Sequence, residues 1–101
     1  MRMTLATTLV MQAIGAGHRH GFDIVEVTRY PTGTVYPALR RLERDGYVRS
    51  RWEAERAASR EGRPARRYYE LTAAGAAALD AALEMLRQLD AGSRLRVKHA
   101  R

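Results

Sequence analysis

The chain has 101 residues, a hydrophobic fraction of 46% and no cysteine. One domain with a modest core fits that length, and wholesale disorder, disulfides, thiolate zinc sites and cysteine nucleophiles are excluded. Eighteen Lys+Arg against eleven Asp+Glu give a net charge of +7, which favours a polyanionic partner, nucleic acid first and an anionic membrane surface second.

The chain opens with "TLATTLVMQAIGAG". Its apolar residues Leu5, Leu9, Val10, Ala13 and Ile14 fall at helical spacing, with Thr and Gln between them. The run therefore reads as an amphipathic helix over Thr4–Ala16, not as a signal peptide. No segment approaches transmembrane length, and a cytoplasmic protein with no membrane partner is expected. "GHRHG" reads as a turn. A short second helix follows over Phe22–Thr28, with Phe22, Ile24, Val25 and Val27 available for packing. "YPTG" breaks it, because Pro and Gly together mark a turn.

The third helix is expected from Thr34 to Asp45, with Gly46 as its stop. Val35, Ala38, Leu39 and Leu42 form one apolar stripe, while Tyr36, Pro37, Arg40, Arg41 and Arg44 lie opposite. That pairing of stripes suits a recognition helix in the major groove of double-stranded DNA, with Arg40 and Arg44 at base edges or adjacent phosphates. Pro37 is expected in the first turn, where its missing N–H has no partner anyway, and so places the start near Thr32–Thr34. The N–H groups of Gly33, Thr34 and Val35 would then be free to hold a phosphate. Thr32 or Thr34 would cap the helix or bind that phosphate through its hydroxyl.

The period then changes. "YVRSRWE" alternates, with Val48, Ser50 and Trp52 on one side, and reads as a strand. "AERAASREGRP" reads as a loop and "ARRYYEL" as a second strand. Ten of the eighteen basic residues lie between Arg40 and Arg67. Arg60, Arg63 and Arg66 are expected to hold the DNA backbone from this hairpin. Tyr68 and Tyr69 face opposite ways, one of them into the core. Trp52 is expected to pack between hairpin and helices, or to line an effector pocket in a dimer.

Thr72 reads as the N-cap of a last helix over Ala73–Asp90, with Gly92 as its stop. Residues 93–101 read as a basic, mobile tail. Leu79, Leu83, Leu86 and Leu89 recur at steps of three and four. With Leu5 and Leu9 they are expected to form a homodimer interface, since a two-fold protein matches two half-sites.

The resulting plan is mainly α with a small β-hairpin. It is a winged helix-turn-helix over residues 1–72, followed by a C-terminal dimerisation helix over 73–92. No enzyme is expected, because no nucleophile elbow, phosphate-binding Gly loop or paired carboxylates occur. His18, His20 and His99 lack metal-ligand spacing, so neither metal nor cofactor is implied.

The segments "HGFDI", "TGTVYPALRRLERDGYV" and "GRPARRYYELTAAG" together resemble the PadR family of bacterial transcriptional regulators, over His20 to Gly75. The resemblance implies a dimeric repressor, often sensing a small aromatic or lipophilic molecule or a stress signal. It also implies DNA contacts from Thr32 to Arg41. Two other classes fit the residues. A winged-helix protein-interaction module would bind with little dependence on salt, whereas DNA binding falls steeply with it. A small-molecule-binding scaffold would show Trp52 quenching without a duplex shift.

Overall fold

The structure is a computed structural model that describes residues 3–99, with side chains described through residue 92. Its elements in order are α1 (Leu5–Gly15), α2 (Gly21–Thr28), α3 (Thr32–Arg44), β1 (Val48–Trp52), α4 (Glu55–Arg60), β2 (Arg67–Leu71) and α5 (Ala73–His99).

Thr4 starts α1 by a reciprocal cap. Its hydroxyl accepts the Thr7 N–H at 3.1 Å, and the Thr7 hydroxyl accepts the Thr4 N–H at 2.9 Å. The helix buries Val10, Met11, Ala13 and Ile14. Ile24 of α2, the Val35–Ala38–Leu39–Leu42 stripe of α3, Val48 and Tyr69 of the hairpin and Leu79 of α5 complete one core. The α2–α3 connection is tight because Arg29 adopts a left-handed φ of 66° and returns its N–H to the Val25 carbonyl.

β1 and β2 pair antiparallel from Val48↔Leu71 to Trp52↔Arg67. The segment "GHRHG" is more than the expected turn: the Arg19 carbonyl accepts the Tyr69 N–H at 2.8 Å, and His20 bridges Tyr68. This pairing places the start of α2 beside the hairpin. Tyr69 is buried and Tyr68 only half-buried, as alternation requires.

Thr72 does cap α5, accepting the Gly75 N–H at 3.0 Å while donating to the Gly46 carbonyl at 2.6 Å. A Cβ on Gly75 would overlap the Tyr47 carbonyl, so glycine is what lets α5 start against the α3–β1 turn.

Several expectations are corrected. The hairpin connection is not a plain loop, since residues Glu55–Arg60 form α4, anchored by buried Ala58. One apolar contact and a single turn leave little periodic signal for such a helix. Gly92 does not stop α5, whose backbone continues to His99; an isolated Gly is tolerated inside a long helix. The side chains of the expected mobile tail, residues 93–101, lie outside the described residues. Leu79 is 8% exposed and belongs to its own chain's core, with Leu83 packed against it. Phe22 and Val27, expected to pack, are exposed, and so is Trp52.

Candidate nucleic-acid interface

α3 begins at Thr32, two residues before Thr34 and at the early edge of the Thr32–Thr34 window expected from Pro37. Its N-cap is Pro31, which makes no side-chain cap hydrogen bond, so neither Thr32 nor Thr34 caps the helix. The N–H groups of Thr34 and Val35 both donate to the Pro31 carbonyl, at 2.9 and 3.0 Å, and are not free as expected. Thr32 and Gly33, both exposed, lie too early in α3 for an intrahelical acceptor. A Cβ on Gly33 would meet nothing within 4 Å, so no contact inside the chain requires glycine there.

The longer helix also changes the account of Pro37. It is the sixth residue of α3, beyond the orphan N–H positions of the first turn. Its missing N–H therefore leaves the Gly33 carbonyl without an i+4 donor. The opened bond lies beside the exposed amino end.

Past that end, Arg40, Arg41 and Arg44 are exposed on the side away from Val35, Ala38, Leu39 and Leu42. Arg44 contacts neighbouring Asp45 at 3.3 Å, whereas Arg40 and Arg41 have no acid partner among the described residues. Tyr36 is half-buried, and Gly21 makes room for it, since a Cβ there would overlap the Tyr36 hydroxyl and ring. Tyr36 thus packs α3 against the amino end of α2.

A second connection joins α3 to the hairpin. Arg67 Nη2 donates to Glu43 Oε1 at 2.9 Å, Arg67 Nε to Ser50 Oγ at 2.9 Å, and Ser50 Oγ to Glu43 Oε2 at 2.5 Å. Arg67 also lies over the Trp52 and Tyr69 rings, at 5.7 and 5.8 Å from their centroids. The Arg67–Glu43 pairing spans 24 residues, and no local spacing announces it.

The hairpin arginines are not equivalent. Arg63 forks onto Glu53 at 2.6 and 3.0 Å and reaches Glu61 at 2.9 Å. The Arg63 guanidinium, with a smaller share from the Arg66 backbone N–H and the Tyr68 hydroxyl, holds the Glu53 carboxyl down from 4.5 to about 2. Arg63 is itself held in the charged form by Glu53 first. Arg60 is exposed and Arg66 half-buried, and neither side chain has an acid partner among the described residues. Between the hairpin and α2 lies a cleft of about 440 Å³ bordered by Phe22, Tyr36, Trp52, Arg66 and Tyr69. Elsewhere Leu5, Met85 and Leu86 line an apolar groove between α1 and α5, and Leu89 is exposed beyond it.

Three helices, a basic third helix joined to a two-stranded hairpin and a long last helix define a winged helix-turn-helix protein. Its sequence matches the "Transcriptional regulator PadR-like family" over residues 10–81, and the chain belongs to that family. The fold is shared with a PadR family transcription regulator from Clostridium difficile at 21% identity and a TM-score of 0.81, covering 93% of this chain and 99% of that one. A PadR family regulator from Eggerthella lenta aligns at 25% identity and a TM-score of 0.71, covering 89% and 81%. BpsR from Bordetella bronchiseptica, whose DNA binding is regulated by 6-hydroxynicotinic acid, aligns at 20% identity and a TM-score of 0.72, covering 89% and 64%. No curated protein sequence matches the chain at a significant level. Among the described residues no helix is long and apolar enough to cross a membrane.

Proposed function

We propose that this protein is a cytoplasmic, sequence-specific DNA-binding repressor that acts as a homodimer. One observation carries the reading. α3 buries an apolar stripe while presenting to solvent an uncapped amino end and Arg40 and Arg41, which have no acid partner among the described residues. In this reading α3 enters the major groove, Thr32 and Gly33 hold a phosphate, and Arg40 reaches a base edge. Arg60 and Arg66 hold the backbone from the hairpin, and Arg63, neutralised by Glu53, contributes less. The exposed Leu5, Leu86 and Leu89 support a dimer in which a second copy covers the α1–α5 groove.

Selection of random duplexes by the purified protein tests this reading. A palindromic site is expected, bound with an affinity that falls steeply with salt. Recovery of no sequence preference, or salt-independent binding, would favour the protein-interaction module.

Release by a small aromatic or lipophilic molecule is a second reading. It is favoured by the regulation of BpsR by 6-hydroxynicotinic acid. Titration of the protein–duplex complex with such compounds tests it, and loss of the mobility shift is the expected result.

A further inference from the structure

The proposed function gives no role to Phe22 and Trp52, the exposed aromatic residues of the cleft between α2 and the hairpin. Phe22 and Trp52, at its borders, are 72% and 65% exposed. Two large aromatic side chains this exposed beside one cleft mark a contact surface, even with Arg67 over one face of Trp52. Arg63, Arg66, Arg67 and His20 also line the cleft, and no carboxylate does. Glu53 and Glu43 neutralise Arg63 and Arg67, which leaves Arg66 as the cleft guanidinium without an acid partner among the described residues. The amino end of α2 borders the same space at Gly21 and Phe22, and its N-cap His20 makes no side-chain cap hydrogen bond. The charge of the cleft is therefore one-signed and suited to an anion.

Tyr36 connects this cleft to the recognition face. It lies one helical turn after Gly33 and one before Arg40, on the same ridge of α3. A phosphate held at Gly33 would therefore belong to a strand that runs on toward the cleft.

We propose that the cleft seats the sugar-phosphate backbone of one DNA strand, with a phosphate on Arg66 and deoxyribose against Phe22 and Trp52. The inference rests on the DNA-binding reading and extends it to two aromatic side chains outside α3. A small aromatic ligand is the lesser candidate. Such ligands are enclosed over most of their surface, and walls this exposed leave an occupant largely in water.

Trp52 is the chain's single tryptophan, so its emission reports on the cleft directly. The experiment follows Trp52 emission and the anisotropy of a labelled duplex carrying the selected site, in wild type, Phe22→Ala, Arg66→Gln and Trp52→Phe. The expected result is an emission change that tracks anisotropy, with Phe22→Ala and Arg66→Gln each weakening binding about tenfold. Trp52→Phe removes the chain's single emitter and serves as the emission blank. Binding by anisotropy with flat emission and unaltered variants would overturn the inference while leaving the DNA reading intact. No duplex binding even at low salt would overturn both. Quenching of Trp52 by benzoate, with no emission change on duplex binding, would assign the cleft to a small aromatic acid instead.

Discussion

Arg67 of β2 and Glu43 of α3 meet at 2.9 Å, and Ser50 of β1 closes the triangle between them. α3 is thereby tied to both strands of the hairpin. Three side chains hold at one angle the two elements that meet one duplex in the proposed DNA complex. The pair is part-exposed, so Glu43→Gln or Arg67→Met should cost stability no more than about 1 kcal/mol. Duplex affinity should fall further than stability does, and the double variant should bind no worse than either single one. Mobility-shift titrations with thermal melts check this. Wild-type affinity for Glu43→Gln would remove the clamp from the account of DNA binding.

Arginine variants should separate by partner. Arg40→Ala should cost about 1–3 kcal/mol of specific binding and relax preference at one base position. Arg66→Ala should weaken binding to all duplexes alike and make the log Kobs against log salt slope shallower by about 1. Arg63→Ala should alter that slope least, because Glu53 and Glu61 already neutralise it. Equal slope changes at Arg63 and Arg66 would refute the ranking.

The hairpin should carry an acid-sensitive contribution to stability. The Arg63 guanidinium above all holds the Glu53 carboxyl at about 2 in the folded chain, against 4.5 for an unperturbed glutamate such as that of the unfolded chain. The folded state therefore favours the ionised carboxylate. That contribution is full above about pH 4.5 and is lost as pH falls through about 2. Denaturant midpoints of wild type and Glu53→Gln, measured from pH 7 to pH 2, should differ by a constant amount above the window and converge within it. A difference that persists at pH 2 would mean that Glu53 acts by packing rather than charge.

Gly75 and Thr72 should be the sensitive positions at the start of α5. Gly75→Ala forces a methyl into the Tyr47 carbonyl, and the obstacle is backbone. The cost should reach about 3 kcal/mol. Thr72→Ala removes the cap on the Gly75 N–H and the bond to the Gly46 carbonyl, for about 1–2 kcal/mol. Thermal denaturation measures both. A Gly75→Ala protein as stable as wild type would show that α5 can shift away from the turn.

Most of the architecture is legible along the chain. The apolar stripe of α3, the alternation of β1 and β2 and the Thr72 cap all repeat within a few residues, and backbone periodicity dictates them locally. The same local rules placed Pro37 in a first turn, yet α3 starts at Thr32 because the Pro31 carbonyl accepts the N–H groups of Thr34 and Val35. α4 was hidden because six residues with one buried alanine carry too little pattern.

The sites depend on contacts that local spacing does not encode. Seventeen arginines look alike in a string of letters. Folding pairs Arg63 with Glu53 across 10 residues and Arg67 with Glu43 across 24, while Arg40 and Arg66 have no acid partner among the described residues. It also buries Leu79, leaves Leu89 in water and sets Phe22 beside the same cleft as Trp52. Which charge is spent and which is free, and which apolar face is covered, are properties of neighbours in space. Neighbours this far apart along the chain meet only when the helices and hairpin close on a common core.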